Sequence, residues 1–220
     1  MYSKYLQMQY KLHTFVEIFL FTLMPKPMNP IKSKIEFKGK VGKFVYYDKE
    51  KKEEVPITFD KFLVLKTTSQ ITGYNPKLGG IWSNEIESIK EEEIVVRCKS
   101  VGRLIQGAYS EIKKSLPAGA KFATNLYVVA KINGVSGIYI LQMVGGILNE
   151  WIEFSKKNNG VFQSTITIAN LTTKYNGNIK YFVPVFGIRK STETEEEAAK
   201  IFWKKLKDWQ RASVPNSYGG

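Results

Sequence analysis

Histidine and cysteine each occur once in 220 residues, as His13 and Cys98. A structural zinc takes several such ligands, so no ligand set for one exists in this chain. A lone cysteine cannot form an internal disulfide, which fits a reducing, cytoplasmic compartment. As a nucleophile Cys98 would need a base, and His13 is the only imidazole on offer; Cys98 reads instead as a small buried side chain in a strand. Phosphate-cradling loops are missing too. No GxxxxGK[ST] occurs, no GxGxxG follows a strand, and Gly79-Gly80 and Gly145-Gly146 are isolated pairs. No cofactor and no metal are expected. Long apolar runs are scarce: residues 14–23 (TFVEIFLFTL) form one, but it carries Glu17 and is too short to span a bilayer. No membrane partner is expected.

In excess are positive charge and aromatic surface. Lys and Arg number 33 against 20 Asp and Glu, a net charge of +13, and 12 Tyr, 13 Phe and 4 Trp are threaded among them. Such an imbalance draws polyanions, either nucleic acid or an anionic surface. Aromatic faces stack on unpaired bases while cations follow a phosphate backbone, so the combination suits single-stranded nucleic acid. An apolar content of 43% supplies the core of one elaborated domain.

That domain is placed at residues 28–212. Residues 1–27 read as an extension: Lys4 and Lys11 ahead of the apolar run imitate a signal peptide, but no small-residue cleavage site follows, and Pro25, Pro27 and Pro30 break the pattern. Three readings fit it: a peripheral helix packed on the body, an exchange or oligomer arm, or sequence upstream of a start at Met28. Residues 213–220 read as a flexible tail.

Within the domain, residues 35–41 alternate with Ile35, Phe37 and Val41 on one face and Glu36, Lys38 and Lys40 on the other. Gly42 reads as a bulge, after which Phe44 and Tyr46 share a face of a continuing strand. Residues 48–54 form a charged turn and 55–65 are again extended. Residues 67–83 read as a long polar loop carrying Tyr74 and Trp82. A short strand at 94–99 precedes a helix on the spacing of Leu104, Ile105, Ala108, Tyr109, Ile112 and Leu116. Asn133-Gly134 and Asn176-Gly177 centre two hairpins. Between these, Ile147, Leu148, Trp151 and Ile152 mark a helix. Thr194-Glu195-Glu196-Glu197 reads as the capping box of a last helix, which docks through Phe202, Leu206 and Trp209. The pattern is α+β and mainly antiparallel β. With its bent first hairpin it points to an elaborated OB-like barrel with inserted short helices and a C-terminal helix, and a split sandwich has the same periodicity.

The candidate binding residues follow from strand faces. Lys38, Lys40 and Lys43 lie beside Phe44, Tyr46 and Tyr47 on the first hairpin; Arg97 and Lys99 share one side of their strand, with Arg103 beyond; Tyr74 and Trp82 fall off any periodic apolar face. On one groove, the cations would contact phosphates and the aromatics would stack bases. Against this, aromatics on strands are usually core and lysines on the opposite face are usually just solvated.

The stretch Gly80-Ile81-Trp82-Ser83-Asn84-Glu85-Ile86 is followed by Ile94-Val95-Val96-Arg97-Cys98-Lys99, by Gly107-Ala108-Tyr109-Ser110-Glu111-Ile112-Lys113, and by Lys121-Phe122-Ala123-Thr124-Asn125-Leu126-Tyr127 before the segment carrying Trp151. In this order, over residues 61–154, the chain resembles a group of small phage single-stranded DNA-binding proteins. The resemblance implies an OB-type fold and a non-enzymatic role coating displaced DNA strands in replication or recombination, in the host cytoplasm, with a second copy of the chain as a candidate partner. Residues 213–220 depart from cellular single-strand binders, since they form no acidic tip. A phage structural or assembly protein with an incidental basic surface is the alternative. A metal-dependent nuclease or recombination enzyme comes third, because most carboxylates sit in runs (53–54, 91–93, 195–197) that read as turns and caps.

Overall fold

A computed structural model describes residues 27–213. It divides into two compact units, Pro30–Lys204, which contains every described strand, and a second to which residues 27–29 and 205–213 belong. Most of the expected N-terminal extension, residues 1–26, and residues 214–220 of the expected tail lie outside the described residues. Among the described residues no helix is long and apolar enough to cross a membrane.

The larger unit is built on one mainly antiparallel sheet. Its strands are β1 (Ile31–Lys38), β2 (Lys43–Asp48), β3 (Glu53–Ile57), β4 (Lys61–Asn75), β5 (Gly79–Ser83), β6 (Ile94–Cys98), β7 (Gly102–Gly107), β8 (Ala120–Ile132), β9 (Val135–Val144), β10 (Ser164–Asn176) and β11 (Ile179–Lys190). The order is β3-β2-β1-β9-β8-β4-β5-β6-β7, with β10 and β11 branching from β4. Among the described strands only β1 and β9 run parallel. The mainly antiparallel class therefore holds, and the sheet is open, with β3 and β7 at the ends of its path; these pairings do not make the expected barrel.

The 15-residue β4 organises the whole sheet. One edge pairs with β8 from Phe62 to Gly73. The other is shared: residues 61–63 pair with β10 and residues 72–75 with β5. A register shift between Val64 and Lys66 divides its side chains between two cores. Phe62 and Val64 enter the larger one, with Ile35, Phe44, Leu126, Val128, Leu141 and Trp151. Ile71 enters the smaller one, with Ile81, Ile86, Ile94, Val96, Cys98 and Ile112.

Three segments differ from the sequence pattern for identifiable reasons. Residues 67–83 are not a loop but the β4–β5 hairpin. Their polarity arises because Thr68 and Ser69 are buried yet hydrogen-bonded, so apolar alternation is absent where a strand exists. Residues 102–107 are strand β7, not helix; a register shift opposite Val96 and Arg97, then the single turn α1 (Tyr109–Ile112), spaces the apolar residues as a helix would. Gly42 is no mid-strand bulge but part of the turn at residues 39–42 (φ +68°), which leaves Val41 exposed.

Other signals translate directly. Asn133 and Gly134 both adopt positive φ, as a two-residue type I′ hairpin requires. Helix α2 (Gly146–Lys157) buries Ile147, Leu148 and Trp151, while Ile152 is exposed. Helix α3 (Glu193–Ser213) has its capping box two residues earlier than the sequence reading placed it: Glu195 N–H donates to Thr192 Oγ1 and Thr192 N–H to the Glu195 carboxylate. Along α3, Leu206 is buried, Phe202 and Trp209 are half-buried, and Lys200, Lys204 and Lys207 are exposed.

Candidate nucleic-acid interface

Strand register decides which candidate side chains share a face, because directly opposed residues point to the same side. Starting from Trp82, Thr72 lies opposite on β4 and Arg97 on β6. Thr72 in turn faces Lys121 on β8, and Arg97 faces Arg103 on β7. Lys121, Thr72, Trp82, Arg97 and Arg103 thus form one row across five strands, about 20 Å long at the usual strand spacing. The side chains opposite the smaller core make this row, so its cations stay at the surface while Ile71, Ile81 and Val96 fill the interior.

A second row runs beside it. Tyr74 faces Gly80, and Lys99 N–H donates to Gly80 O at 3.1 Å. A Cβ at Gly80 would meet nothing within 4 Å. Gly80 therefore forms an open floor, with Trp82 two residues along the strand, Tyr74 on one side and Lys99 on the other. Trp82 is 44% exposed and Tyr74 66%.

The two arginines of the row are held by groups on their own strands. Arg97 Nη1 donates to Val95 O, and Arg103 Nη1 donates to Gln106 Oε1, whose amide nitrogen reaches Glu93 Oε2 at 2.6 Å. These contacts leave both guanidinium groups with further N–H donors, as the fork of five donors allows.

The first hairpin contributes less than its sequence promised. Phe44 is not a surface stacker: it is 7% exposed, with its ring against Phe37 and Phe59 in the larger core. Tyr46 is on the same side and packs against that core. Lys38 is held by two carboxylates, Glu36 at 3.1 Å and Glu54 at 2.6 Å. Tyr47 and Lys43 are exposed on the sheet face that carries the Trp82 row, and Lys40 is exposed in the turn. The ladder from β2 through β1, β9, β8 and β4 to β5 separates this group from Trp82.

A strap, residues 84–93, connects β5 to β6 and bridges to β4 at Ser69 on the edge that β5 also pairs with. Ile86 and Ser69 exchange two backbone hydrogen bonds, and Ile86 is buried in the smaller core. The Glu85 carboxylate accepts from Thr68 Oγ1 (2.5 Å), Tyr127 OH (2.7 Å) and Asn125 Nδ2 (2.9 Å). Burial, followed by this bond to Glu85, pushes the Tyr127 phenol up, so it stays a donor. Asn84 ties the strap ends, donating to Glu93 O and accepting from Val95 N–H. Glu92 accepts from Glu87 N–H and Ser88 N–H. The acidic runs thus serve turns and straps, and no cluster of three or more metal-ligating side chains occurs among the described residues.

Sequence reasoning missed Lys121, Thr72, Gly80 and the strap. Lys121 had no local signal, since it joins the row only through pairing across 49 residues of chain (Thr72 to Lys121). Comparison with protein-family models, curated proteins and solved structures finds no match to this chain.

Proposed function

We propose that the protein binds single-stranded nucleic acid, DNA by preference, without catalysing a reaction on it. The observation that carries this reading is the row Lys121–Thr72–Trp82–Arg97–Arg103 beside the open Gly80 floor. An exposed indole between cations offers stacking and phosphate contacts together, and a single strand uses both because its bases have free faces. The net charge of +13 adds long-range attraction for a polyanion. The motif order that resembles phage single-strand binders gives the role: coating displaced strands during replication or recombination in a host cytoplasm. An OB-type fold is part of that resemblance, but the mechanism does not need a barrel, since the rows lie on an open sheet.

Gly80→Leu tests the site directly. Space above Gly80 is free, so the variant keeps its fold and melting temperature while a leucine occupies the floor. Binding of oligo-dT should fall at least tenfold. Unchanged affinity with an intact fold would remove this face from the binding site.

One observation favours the assembly-protein reading: the β10–β11 hairpin exposes Tyr175, Ile179, Leu171 and Val185. Those side chains would be covered in a virion subunit interface. Self-association that is insensitive to salt, with no nucleic-acid binding, would select that reading instead.

A further inference from the structure

We infer, resting on the strand-binding reading above, that a bound single strand continues from the Trp82 row across β8, β9 and β1 to Lys43 on the first hairpin, so that the two cationic groups are the ends of one track. Strand register aligns them. Lys43 lies opposite Lys38. Glu36 pairs with Gln142 and β1 runs parallel to β9, so two residues further on Lys38 lies beside Val144. Val144 faces Ala123, and Ala123 faces Gln70. The line from Lys43 to Gln70 ends two residues from Thr72 in the row, about 7 Å along β4. Its side chains share the sheet face of Trp82, because their chain neighbours Phe44, Phe37, Met143, Phe122 and Ile71 turn into the cores.

Positive charge sits at the two ends of this path. Lys38 is neutralised by Glu36 and Glu54, whereas Lys43 is exposed and has no ion pair among the described residues. Between the ends, Val144 and Ala123 are uncharged, and Gln70 is held by donating to Asn125 Oδ1 at 3.2 Å. Acid lies beside the path: Glu36, Gln142, Asn125 and Thr68 form the next row, and Glu85 is bonded to that row. Sheet twist then selects the kind of polyanion that fits. Adjacent strands rotate by roughly 20–25°, so β2 and β4 differ by about 80–100° in direction. From Lys43 on β2 to Arg103 on β7 the path crosses seven strand spacings, about 33 Å. A duplex, with a persistence length of about 50 nm, stays straight over that distance and engages one end only, while a flexible single strand follows the turn. The whole track holds on the order of eight nucleotides, and the row alone about four.

The test uses the full chain and oligo-dT of increasing length. Lys43→Glu should leave binding of oligomers of about four nucleotides unchanged and weaken binding of those of about twelve by about three- to tenfold. The length at which affinity levels off should shorten from about eight nucleotides toward four. Lys43→Gln, which keeps a polar side chain, should show the same dependence on length in weaker form, and both variants should keep the melting temperature because Lys43 is exposed. Lys156→Glu makes the same charge change on α2, the helix that packs against the larger core, and should leave the length dependence intact. Equal losses at Lys43→Glu and Lys156→Glu would report only the reduced net charge and overturn the track. If Lys43→Glu has no effect at any length while Trp82→Ala still weakens binding, the track is overturned and the row stands. If Trp82→Ala and Lys121→Glu have no effect either, the row itself fails.

Discussion

Trp82 leaves nearly half its surface in water between two strands whose opposed residues are Thr72 and Arg97. An indole left 44% exposed forgoes much of the burial its size would otherwise contribute, and a partner with a flat face would supply the missing contact. Trp82→Ala should weaken oligo-dT binding by about 1–3 kcal/mol while leaving the salt dependence nearly unchanged. Arg103→Glu or Lys121→Glu should do the reverse, weakening all sequences alike and flattening the salt slope, because a phosphate contact carries no base information. Titrations at several salt concentrations read both effects. A different residue sets acid stability. Arg189 donates to Glu195 with both guanidinium nitrogens and, as the largest influence, holds its carboxyl well below the usual range; Thr192, Lys61 and Thr165 add further bonds. The native state thus binds a proton here less readily than the unfolded chain. The stability so gained is complete above the ordinary carboxylate range near pH 4.3 and is lost as pH falls toward the lower native value. Glu195→Gln should therefore melt lower than the unmodified protein at neutral pH, with the gap closing in strong acid. A gap that persists unchanged in acid would contradict the assignment.

At the scale of elements, the β4–β5 hairpin is held in place by a close backbone approach to the chain just before β8. A Cβ at Gly119 would lie 2.1 Å from Tyr74 O, and one at Gly73 would lie 2.1 Å from Gly119 O. Gly119 also sits at φ +87°. No side-chain motion relieves a clash with backbone, so Gly119→Ala should cost about 1–3 kcal/mol and shift Tyr74. Chemical denaturation measures the cost; a neutral result would show the two segments free to part. Thr192→Ala should cost about 0.5–2 kcal/mol through loss of the α3 cap. The sequence reading of these elements succeeded where turn chemistry is local. Asn133-Gly134 and Asn176-Gly177 identified β8–β9 and β10–β11 because two residues suffice to define such a turn. It failed at residues 67–83 because Thr68, Ser69 and Gln70 satisfy their polarity through Glu85, Ile86 and Asn125, distant in sequence. It failed at Phe44 and Tyr46 because adjacent strand residues alternate faces, and only the packing of the larger core decides which face is inside.

Across the whole molecule, charge sign, the abundance of aromatics and the mainly antiparallel class were legible, since they are properties of composition and short-range pattern. The joining of Lys121, Trp82, Arg97 and Arg103 was not, because it depends on pairings between β4, β5, β6, β7 and β8 that no local motif encodes. Of the earlier candidates, Tyr74, Trp82, Arg97, Lys99 and Arg103 come together around Gly80, whereas Lys38, Lys40, Lys43 and Tyr47 form a separate group and Phe44 and Tyr46 belong to the core side. The measurement that bears most directly on the account is a fluorescence titration of the unmodified protein with oligo-dT, oligo-rU and duplex DNA at two salt concentrations. The account predicts quenching of tryptophan emission by the single strands, dT bound more tightly than rU, weaker binding of duplex, and affinity that falls steeply with salt. Equal affinity for duplex and single strand with no quenching would contradict it and leave only a generic basic surface.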